Sequence, residues 1–343
     1  MNTNANLEVA LKLATKCPIC NSRCVQRLPD DWCEAPMLLC VECPVVFQLP
    51  SPALATDVLG DYRAGVYWSR QSRLSRVLEE ALLSWRLETA ANRLLEIESA
   101  LGQPLGIGER VLDVGCGPAE VIFLASVRRS CSVVGLEPSS REAILTRTRY
   151  GINVVSADAV ALPFCERFDV ILALHLIEHV TDPVRVVRTL LEALDDGGRL
   201  LIECPNLLVP SGGMPIRRFF ETAHLWTFSL QSLVAVVGQA GGRVVFQTDE
   251  GFLRLVAVRG GGLPQTAEMP ASSSSSSSVH GGPISRGLNS WAVLERYRDS
   301  YWWSEARMGW WWTRVLVASH VVSVAGRWFA RAMSSRSFSG SSA

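Results

Sequence analysis

The chain has 343 residues, of which 33 are lysine or arginine and 33 are aspartate or glutamate. This length allows a full hydrophobic core and two or three domains. The zero net charge excludes an overall positive field that would hold a polyanion, although local basic patches remain compatible with it. The first 16 residues show no long apolar stretch and no small-residue cleavage site, so we expect a cytoplasmic protein.

Four of the ten cysteines form two C-x2-C pairs near the N-terminus, namely Cys17, Cys20, Cys40 and Cys43. The spacing between the pairs is typical of tetrathiolate zinc sites. Four thiolates close a tetrahedron around Zn²⁺ and leave no open position, so such a metal is structural. We predict a zinc ribbon over residues 1–50, with Cys24 and Cys33 outside the ligand set. The alternative is a set of free thiols, or a site that has lost its metal.

Apolar residues recur at helical spacing between Tyr67 and Leu101, which predicts helices in the segment 51–109. Two placements stay open for these helices. They form a cap over a ligand cleft of the next domain, or they simply pack against its sheet.

Strands and helices alternate at short intervals from Arg110 onward, the pattern of a doubly wound parallel sheet. Two further strands are joined by a turn so short that they must be antiparallel. The sequence therefore predicts an α/β fold over residues 110–260, a seven-stranded Rossmann-like sheet that ends in an antiparallel hairpin. The predicted strands are 110–114, 131–136, 152–156, 168–174, 198–203, 243–248 and 252–259, and the predicted helices are 119–128, 139–149, 183–194 and 229–240.

The rest of the chain divides by composition into three parts. Residues 261–290 are rich in serine and glycine and are predicted to be a flexible linker. Residues 291–333 are rich in tryptophan and arginine and are predicted to form helices, followed by a disordered tail at 334–343. The apolar run at 315–326 is shorter than the roughly 20 residues that cross a bilayer. Two interpretations stay open for the Trp-rich helices: peripheral contact with a membrane surface, or packing on the core or on a second subunit.

The first strand of the predicted sheet leads into a tight turn that contains Asp113, Gly115, Cys116 and Gly117. Glycine lets the backbone approach a ligand where a Cβ would collide. The third glycine of the dinucleotide-binding pattern is absent. Acids also follow the second and third strands, at Glu137 and Asp158, and the carboxyl edge of such a sheet is where ligands bind. The sequence thus predicts a nucleoside site along this edge.

These loops resemble those of class I S-adenosylmethionine-dependent methyltransferases. The segment from His175 to His179 after the fourth strand and the segment from Glu203 to Asn206 after the fifth are similar to ubiquinone-type O-methyltransferases and deoxysugar methyltransferases. Some sugar methyltransferases also carry an N-terminal zinc module. The sequence departs from the family at Ala119, where glycine is common. The resemblance implies that S-adenosylmethionine is bound by Asp113, Gly115, Cys116, Gly117, Glu137, Asp158, Ala159 and Leu174.

Within such a site, Glu137 is placed to accept hydrogen bonds from the ribose hydroxyls. The resemblance places Asp158 and Ala159 at the adenine amino group. Methyl transfer is an in-line displacement, to which the protein contributes alignment and exclusion of water.

A hydroxyl or enol acceptor also has to lose a proton, which a positioned histidine can take. Of the candidates His175, Glu178, His179 and His224, we take His224 and His175 as catalytic and interpret His179 as a capping or packing residue. The segment around His224 resembles the substrate-side loop of sugar C-methyltransferases, where a Tyr-His-Glu-His cluster acts on the sugar. His224 matches the last histidine of that cluster, and the motif shows no match for its tyrosine and first histidine.

Our leading hypothesis is an enzyme that methylates oxygen or carbon of a small molecule, with a sugar or a lipid-linked saccharide as the expected acceptor. One alternative is a ribosomal RNA methyltransferase with a zinc module, which the zero net charge disfavours, so we expect no nucleic-acid partner. The other alternative is a non-catalytic scaffold of the same fold that uses the Trp-rich segment for interaction.

Overall fold

A computed structural model of the chain describes residues 16–49, 60–64, 76–209 and 216–260, together with Leu294. For residues 76–82 it describes the backbone alone. The predicted serine linker, the disordered tail and, apart from Leu294, the Trp-rich segment lie outside the described residues.

The described elements alternate between strands and helices from residue 76 onward. A short helical segment at 60–63 and a 3-10 turn at Ile177–His179 complete the set given below. In chain order the elements are β1 (Val25–Arg27), β2 (Met37–Cys40), β3 (Val45–Gln48), α1 (Arg76–Leu101), β4 (Arg110–Val114), α2 (Glu120–Arg129), β5 (Ser132–Leu136), α3 (Ser140–Tyr150), β6 (Asn153–Val155), β7 (Phe168–Leu174), α4 (Pro183–Glu192), β8 (Leu194–Cys204), α5 (Ile216–Phe219), β9 (Trp226–Phe228), α6 (Leu230–Gln239), β10 (Gly242–Thr248) and β11 (Leu253–Arg259).

Seven strands form the central sheet, in the order β10-β11-β8-β7-β4-β5-β6. The five strands β4 to β8 pair in parallel with their neighbours. β11 is antiparallel to both β8 and β10. The predicted α/β fold, with its parallel sheet and antiparallel hairpin, is confirmed.

Helices cover both faces of this sheet, which explains why its central strands are mainly apolar. In β7, Ile171 and Ala173 belong to the core cluster that includes residues of α4 and α6. Val170 and Leu172, which alternate with them, belong to the cluster that includes residues of α1 and α2. Because successive side chains of a strand point to opposite faces, one run of apolar residues fills both layers.

β8 begins earlier than the sequence predicts. Residues 195–197, which the sequence leaves between the predicted helix 183–194 and the predicted strand 198–203, lie inside the strand, where the pairing with β7 shifts register between Phe168 and Val170. Gly197 has a φ angle of 77°, a conformation that glycine adopts at low cost. The polar segment is therefore an irregularity within the strand and not a break before it.

The first three strands form a second sheet, and a strand from the C-terminal half of the chain completes it. Its order is β1-β2-β3-β9, and β3 pairs antiparallel with β9 through Val45 opposite Phe228 and Phe47 opposite Trp226. Val45 and Phe47 also belong to the same core cluster as Ile171 of the central sheet. The N-terminal ribbon thus shares both a sheet and a core with the rest of the described chain.

In the part of the chain that the structure describes, no helix combines the length and the apolar character needed to span a membrane.

Candidate active site

The turn between β4 and α2, residues 113–119, is here called the glycine loop. Gly115 and Gly117 have φ angles of 74° and 48°, which residues with a side chain rarely adopt. The N–H groups of Gly115 and Cys116 donate to the Leu136 carbonyl at 2.8 and 3.0 Å. The loop is therefore held against the end of β5, at the carboxyl edge of the sheet.

Glu137 follows β5 and is 2% exposed. Its Oε2 accepts a hydrogen bond from the Gly117 N–H at 3.0 Å, and its Oε1 accepts one from the Ser139 N–H at 3.1 Å. The carboxylate therefore fixes the glycine loop at the end of β5.

Asp158 lies beyond the end of β6. Its Oδ1 accepts a hydrogen bond from the Val160 N–H at 3.1 Å, and its Oδ2 lies 3.1 Å from a guanidinium nitrogen of Arg63. Arg63 comes from the helical segment 60–63, so this part of the predicted cap contacts the carboxyl edge of the sheet. α1, in contrast, packs on the sheet through Leu94 and Ile97.

A cleft of about 860 Å³ opens at this edge. It brings together five of the eight predicted cofactor residues and His175. Asp113, Cys116 and Gly117 lie in the glycine loop but do not line the cleft. The lining residues are Tyr62, Gly115, Leu136, Glu137, Pro138, Asp158, Ala159, Leu174, His175, Leu176, His179 and Val180.

Asp113, at the start of the glycine loop, is 4% exposed. Burial raises the pKa of its carboxyl to about 7, with Arg93 opposing the shift and Glu137 adding to it. Its position suits a residue that supports the loop more than one that contacts a ligand directly.

His179, which lines the cleft, and His224, which does not, form a pair with ring centroids 4.9 Å apart. His179 Nδ1 lies 2.8 Å from the Ala223 carbonyl oxygen, and His224 Nδ1 lies 3.1 Å from the Phe219 carbonyl oxygen. Because a carbonyl only accepts, each ring donates from Nδ1 and leaves Nε2 as an acceptor when it is neutral. The Tyr62 hydroxyl also lies 3.1 Å from His179 Nδ1.

Charge around the pair is set by burial and by Glu178. Burial lowers the pKa of His179 to about 4, against the attraction of Glu178. Burial opposes ionisation of Glu178, but the hydrogen bond from His175 and the neighbouring histidines lower its pKa to about 2. At neutral pH the site therefore holds a carboxylate beside a neutral imidazole.

His175 occupies a different environment. Its Nδ1 lies 3.2 Å from Glu178 Oε1, and its Nε2 lies 3.3 Å from Glu203 Oε1. The ring also packs edge-on against Phe252, at 4.7 Å between centroids. Both nitrogens thus face carboxylate oxygens, an arrangement that suits donation from both.

Comparison with known proteins decides the family. The profile of the family described as "Methyltransferase domain" matches residues 71–247, just over half of the chain. The chain belongs to this methyltransferase family. This confirms the resemblance that the glycine loop and the strand-end acids indicate.

Curated relatives of the methyltransferase match over parts of their length. A "Ubiquinone biosynthesis O-methyltransferase" of Pseudomonas fluorescens (strain Pf0-1) is 33% identical over 146 residues, 36% of this chain and 62% of the relative. A "27-O-demethylrifamycin SV methyltransferase" of Amycolatopsis mediterranei (strain S699) is 34% identical over 133 residues, 36% of this chain and 48% of the relative. The chain thus spans less than two thirds of either relative.

Solved structures with a similar fold include magnesium protoporphyrin IX methyltransferase from Synechocystis PCC 6803 with bound S-adenosylhomocysteine. It has 15% sequence identity and a TM-score of 0.44, over 60% of this chain and 99% of that one. The glycopeptide N-methyltransferase MtfA has 16% identity and a TM-score of 0.41, over 50% of this chain and 90% of that one.

The methyltransferase also brings its four predicted zinc ligands together. The sulfur atoms of these cysteines all lie within 4.8 Å of one another: Cys17, Cys20, Cys40 and Cys43. Two of the separations are 3.6 Å, between Cys17 and Cys43, and 3.5 Å, between Cys20 and Cys40. Four sulfurs at about 2.3 Å from one Zn²⁺ would stand about 3.8 Å apart.

The electrostatics of the four cysteines also favour a bound metal ion. The neighbouring thiols Cys17 and Cys40, together with burial, raise the pKa of Cys43. Four thiolates this close together therefore need a cation between them. The residues fit a structural zinc ion.

A second set of donor atoms lies in the active site. Glu178, His179 and His224 each offer one ligand atom, and these atoms lie within 4.8 Å of one another. Glu178 is 1% exposed, and its Oε2 has no hydrogen-bond partner among the described residues. A buried oxygen in this state is suited to an acceptor hydroxyl or to a cation.

Sequence reasoning missed two residues of this site. Tyr62 lies far from the histidines along the chain and belongs to no motif. His179 was interpreted as capping or packing, but it lines the cleft. The signal for His179 was the acid before it, because a Glu-His pair after a strand of this sheet brings both side chains to the ligand edge.

Proposed function

We propose that this methyltransferase moves a methyl group from S-adenosylmethionine to a hydroxyl group of a small molecule. One observation carries the proposal: the cleft is lined by the strand-end acids Glu137 and Asp158 and by His179, whose ring packs against that of His224, and each of these two imidazoles turns Nδ1 toward a backbone carbonyl. A cationic nucleoside suits the first feature, and a hydroxyl that must lose its proton suits the second.

We propose that the cofactor lies along the carboxyl edge of the sheet, where it supplies an electrophilic methyl group. Gly115, Ala159 and Leu174 line its binding surface. Glu137 accepts hydrogen bonds from the ribose hydroxyls, and Asp158 binds at the adenine end. The remaining three predicted residues, Asp113, Cys116 and Gly117, hold the glycine loop in shape.

The proton of the acceptor passes to the histidine pair in this proposal. His224 serves as the base together with His179, because both rings present Nε2 once Nδ1 donates to a backbone carbonyl. The carboxylate of Glu178, whose Oε1 lies 4.0 Å from His179 Nε2, stabilises the positive charge that the pair takes up.

In this scheme His175 is a positioning residue for the Glu178 carboxylate. It donates to Glu178 and faces Glu203, so it orients the carboxylate beside the pair. It also lines the cleft, which keeps it close to the cofactor.

For the acceptor we propose a saccharide hydroxyl, on the basis of the zinc ribbon and the His224 segment. The two curated relatives are named for ubiquinone biosynthesis and for a 27-O-demethylrifamycin, which favours oxygen over carbon or nitrogen as the methylated atom. A phenolic hydroxyl is the second acceptor class to test.

The test separates cofactor binding from proton removal. Release of S-adenosylhomocysteine is measured with a panel of glycosides and phenols, for the wild type and for the variants His179→Asn and His224→Asn. We expect each variant to lose roughly 100- to 10,000-fold in turnover, the contribution of a positioned base. Affinity for S-adenosylhomocysteine, measured by calorimetry, should stay within about twofold.

Unchanged turnover in both variants would refute the base assignment. Absence of S-adenosylhomocysteine binding at millimolar concentration would refute the enzyme and favour a scaffold. Turnover that requires an added divalent cation while the zinc content and the melting temperature of the chain stay unchanged would assign His179 and His224 as cation ligands in place of bases.

A further inference from the structure

The last residue of β3 connects the ribbon to the segment that carries His224. We call residues 220–225 the histidine loop. Gln48 is 8% exposed, and its Nε2 lies 2.9 Å from the Thr222 carbonyl oxygen and 3.1 Å from that of His224. The Glu221 carbonyl oxygen is 3.5 Å away. One side-chain amide thus donates to several carbonyls of the loop.

The oxygen of the same side-chain amide shows that Gln48 acts on the loop as a hydrogen-bond donor. Its Oε1 is buried and has no hydrogen-bond partner among the described residues. The backbone N–H of Gln48 also donates, to the Leu225 carbonyl at 3.0 Å. Gln48 therefore acts toward the loop as a donor, and its carbonyl side contributes nothing that a thioether could not replace.

The histidine loop in turn orients both imidazoles. The Thr222 and His224 carbonyls face Gln48, whereas the Ala223 carbonyl between them accepts from His179 Nδ1 at 2.8 Å. His224 lies in the loop itself and donates to the Phe219 carbonyl, just before it. Rotation of the 222–224 peptides would therefore remove the partner that sets the His179 tautomer.

The ribbon holds the loop from both ends. Before His224, the Thr222 N–H donates to Glu34 Oε2 at 3.1 Å. After it, the Ser229 N–H donates to the Pro44 carbonyl at 3.1 Å and Ser229 Oγ lies 3.4 Å from the carbonyl oxygen of Cys43, a predicted zinc ligand. Hydrogen bonds thus join the second cysteine pair to the start of α6.

We infer that Gln48 is a positioning residue for the active site, through which the N-terminal ribbon fixes the ring orientation of His179 and His224. The inference rests on the proposed function only in giving these histidines a catalytic task. On this reading the ribbon positions residues of the active site in addition to stabilising the fold.

The experiment compares Gln48→Met with Gln231→Met in the full chain. Gln231 Nε2 donates to the Glu42 carbonyl at 3.0 Å, so the control removes the same kind of donor across the same interface without touching the histidine loop. The imidazole tautomers are read from long-range nitrogen-proton NMR, and the amides at 221–225 from hydrogen exchange. Neither readout needs a methyl acceptor.

In the wild type and in Gln231→Met we expect the Nδ1–H tautomer for both histidines and equal protection of the loop. In Gln48→Met we expect mixed tautomers and exchange at least tenfold faster at 221–225, since buried carbonyls lose their donors. S-adenosylhomocysteine affinity should be equal in all three proteins. If Gln48→Met does not fold, Gln48→Asn keeps the amide but shortens its reach, and the same changes are expected.

Tautomers and exchange in Gln48→Met that match those of Gln231→Met would overturn the inference, whatever the enzyme transfers. Turnover that survives in His179→Asn and His224→Asn would overturn the base assignment while the Gln48 result still stands. The two failures are therefore distinguishable.

Discussion

Ala119 holds a backbone conformation that glycine adopts more readily. It caps α2 at the N-terminal end with a φ angle of 56°, in the left-handed region, and it is 2% exposed. The left-handed conformation costs an alanine about 1–2 kcal/mol. Glycine adopts it without that cost, but it loses more conformational entropy on folding than alanine does, which destabilises the folded chain by about 0.5–1 kcal/mol. We predict that Ala119→Gly raises the free energy of unfolding by about 0.5–1 kcal/mol in urea denaturation.

The control for this prediction is Ala240→Gly. Ala240 caps the end of α6 with a φ angle of −74°, an ordinary right-handed value. There the extra freedom of glycine is only a cost, so the free energy of unfolding should fall by about 0.5–1 kcal/mol. Equal shifts of the same sign in both variants would contradict the argument from φ.

His179 makes stability depend on pH. Burial lowers its pKa to about 4 in the folded chain, while an unfolded histidine titrates near 6.5. Between these values the unfolded chain binds the extra proton, so the free energy of unfolding rises with pH across this window. We predict that acidification from pH 6.5 to 4 removes up to about 3 kcal/mol through this residue.

The measurement for His179 is the slope of unfolding free energy against pH, compared with that of His179→Asn. Glu178, His224 and Tyr62 lie beside the His179 ring in the wild type. The difference between the two slopes measures what depends on the His179 imidazole. A variant whose slope between pH 4 and 6.5 equals that of the wild type would show that His179 titrates normally.

At the level of single residues, sequence indicates the site better on strands than on loops. Glu137 directly follows β5 and Asp158 comes three residues after β6, so the parallel sheet places both at one edge. Asp113 lies within β4, one residue before the strand ends, and it is buried near the charges of Arg93 and Glu137. Tyr62 reaches the cleft through a contact with His179 that no local pattern encodes.

Among the elements, α1 is attached to the sheet by a buried charge network as well as by apolar packing. Glu203 of β8 is 0% exposed and is contacted by Arg93 of α1 and by Arg254 of β11, whose Nε lies 2.5 Å from Glu203 Oε2. Removing one partner from such a network leaves buried charge without compensation. We predict that Glu203→Gln lowers the free energy of unfolding by about 3–5 kcal/mol.

Arg259→Ala is the matched control for the network. Arg259 pairs with Asp196, which is fully exposed, and an ion pair of that kind contributes about 0.5 kcal/mol or less. Chemical denaturation of both variants measures the contrast. A loss in Glu203→Gln no larger than in Arg259→Ala would mean that apolar packing alone holds α1.

The elements of the central sheet were predictable because local pattern and tertiary position agree. β7 is a continuous apolar run, and its burial on both faces leaves no other assignment. The start of β8 was missed because Asp195 to Gly198 carry turn residues, while pairing with β7 keeps them in the strand. β9 is only three residues long, and its partner β3 lies in the ribbon, so no local sequence pattern predicts it.

For the whole molecule, the shared sheet predicts that ribbon and methyltransferase domain unfold together. β3 pairs with β9, and Cys43, Val45 and Phe47 belong to the same core cluster as residues of the central sheet. A metal that binds only the folded ribbon adds its binding free energy to that common unit. We therefore expect a single calorimetric transition that a chelator shifts as a whole to lower temperature.

The variant Cys20→Ser tests the zinc site within this unit, with Cys24→Ser as the control. Both cysteines are exposed, but only Cys20 belongs to the four-sulfur cluster. Metal analysis should give about one zinc per chain for the wild type and for Cys24→Ser, and well below one for Cys20→Ser. The melting temperature of Cys20→Ser should fall for the whole transition, because the ribbon shares its core clusters with Leu207 and Phe220 and with the central sheet. Two resolved transitions, of which only the first depends on zinc, would show that the pairing of β3 with β9 does not couple unfolding of the ribbon to unfolding of the methyltransferase domain.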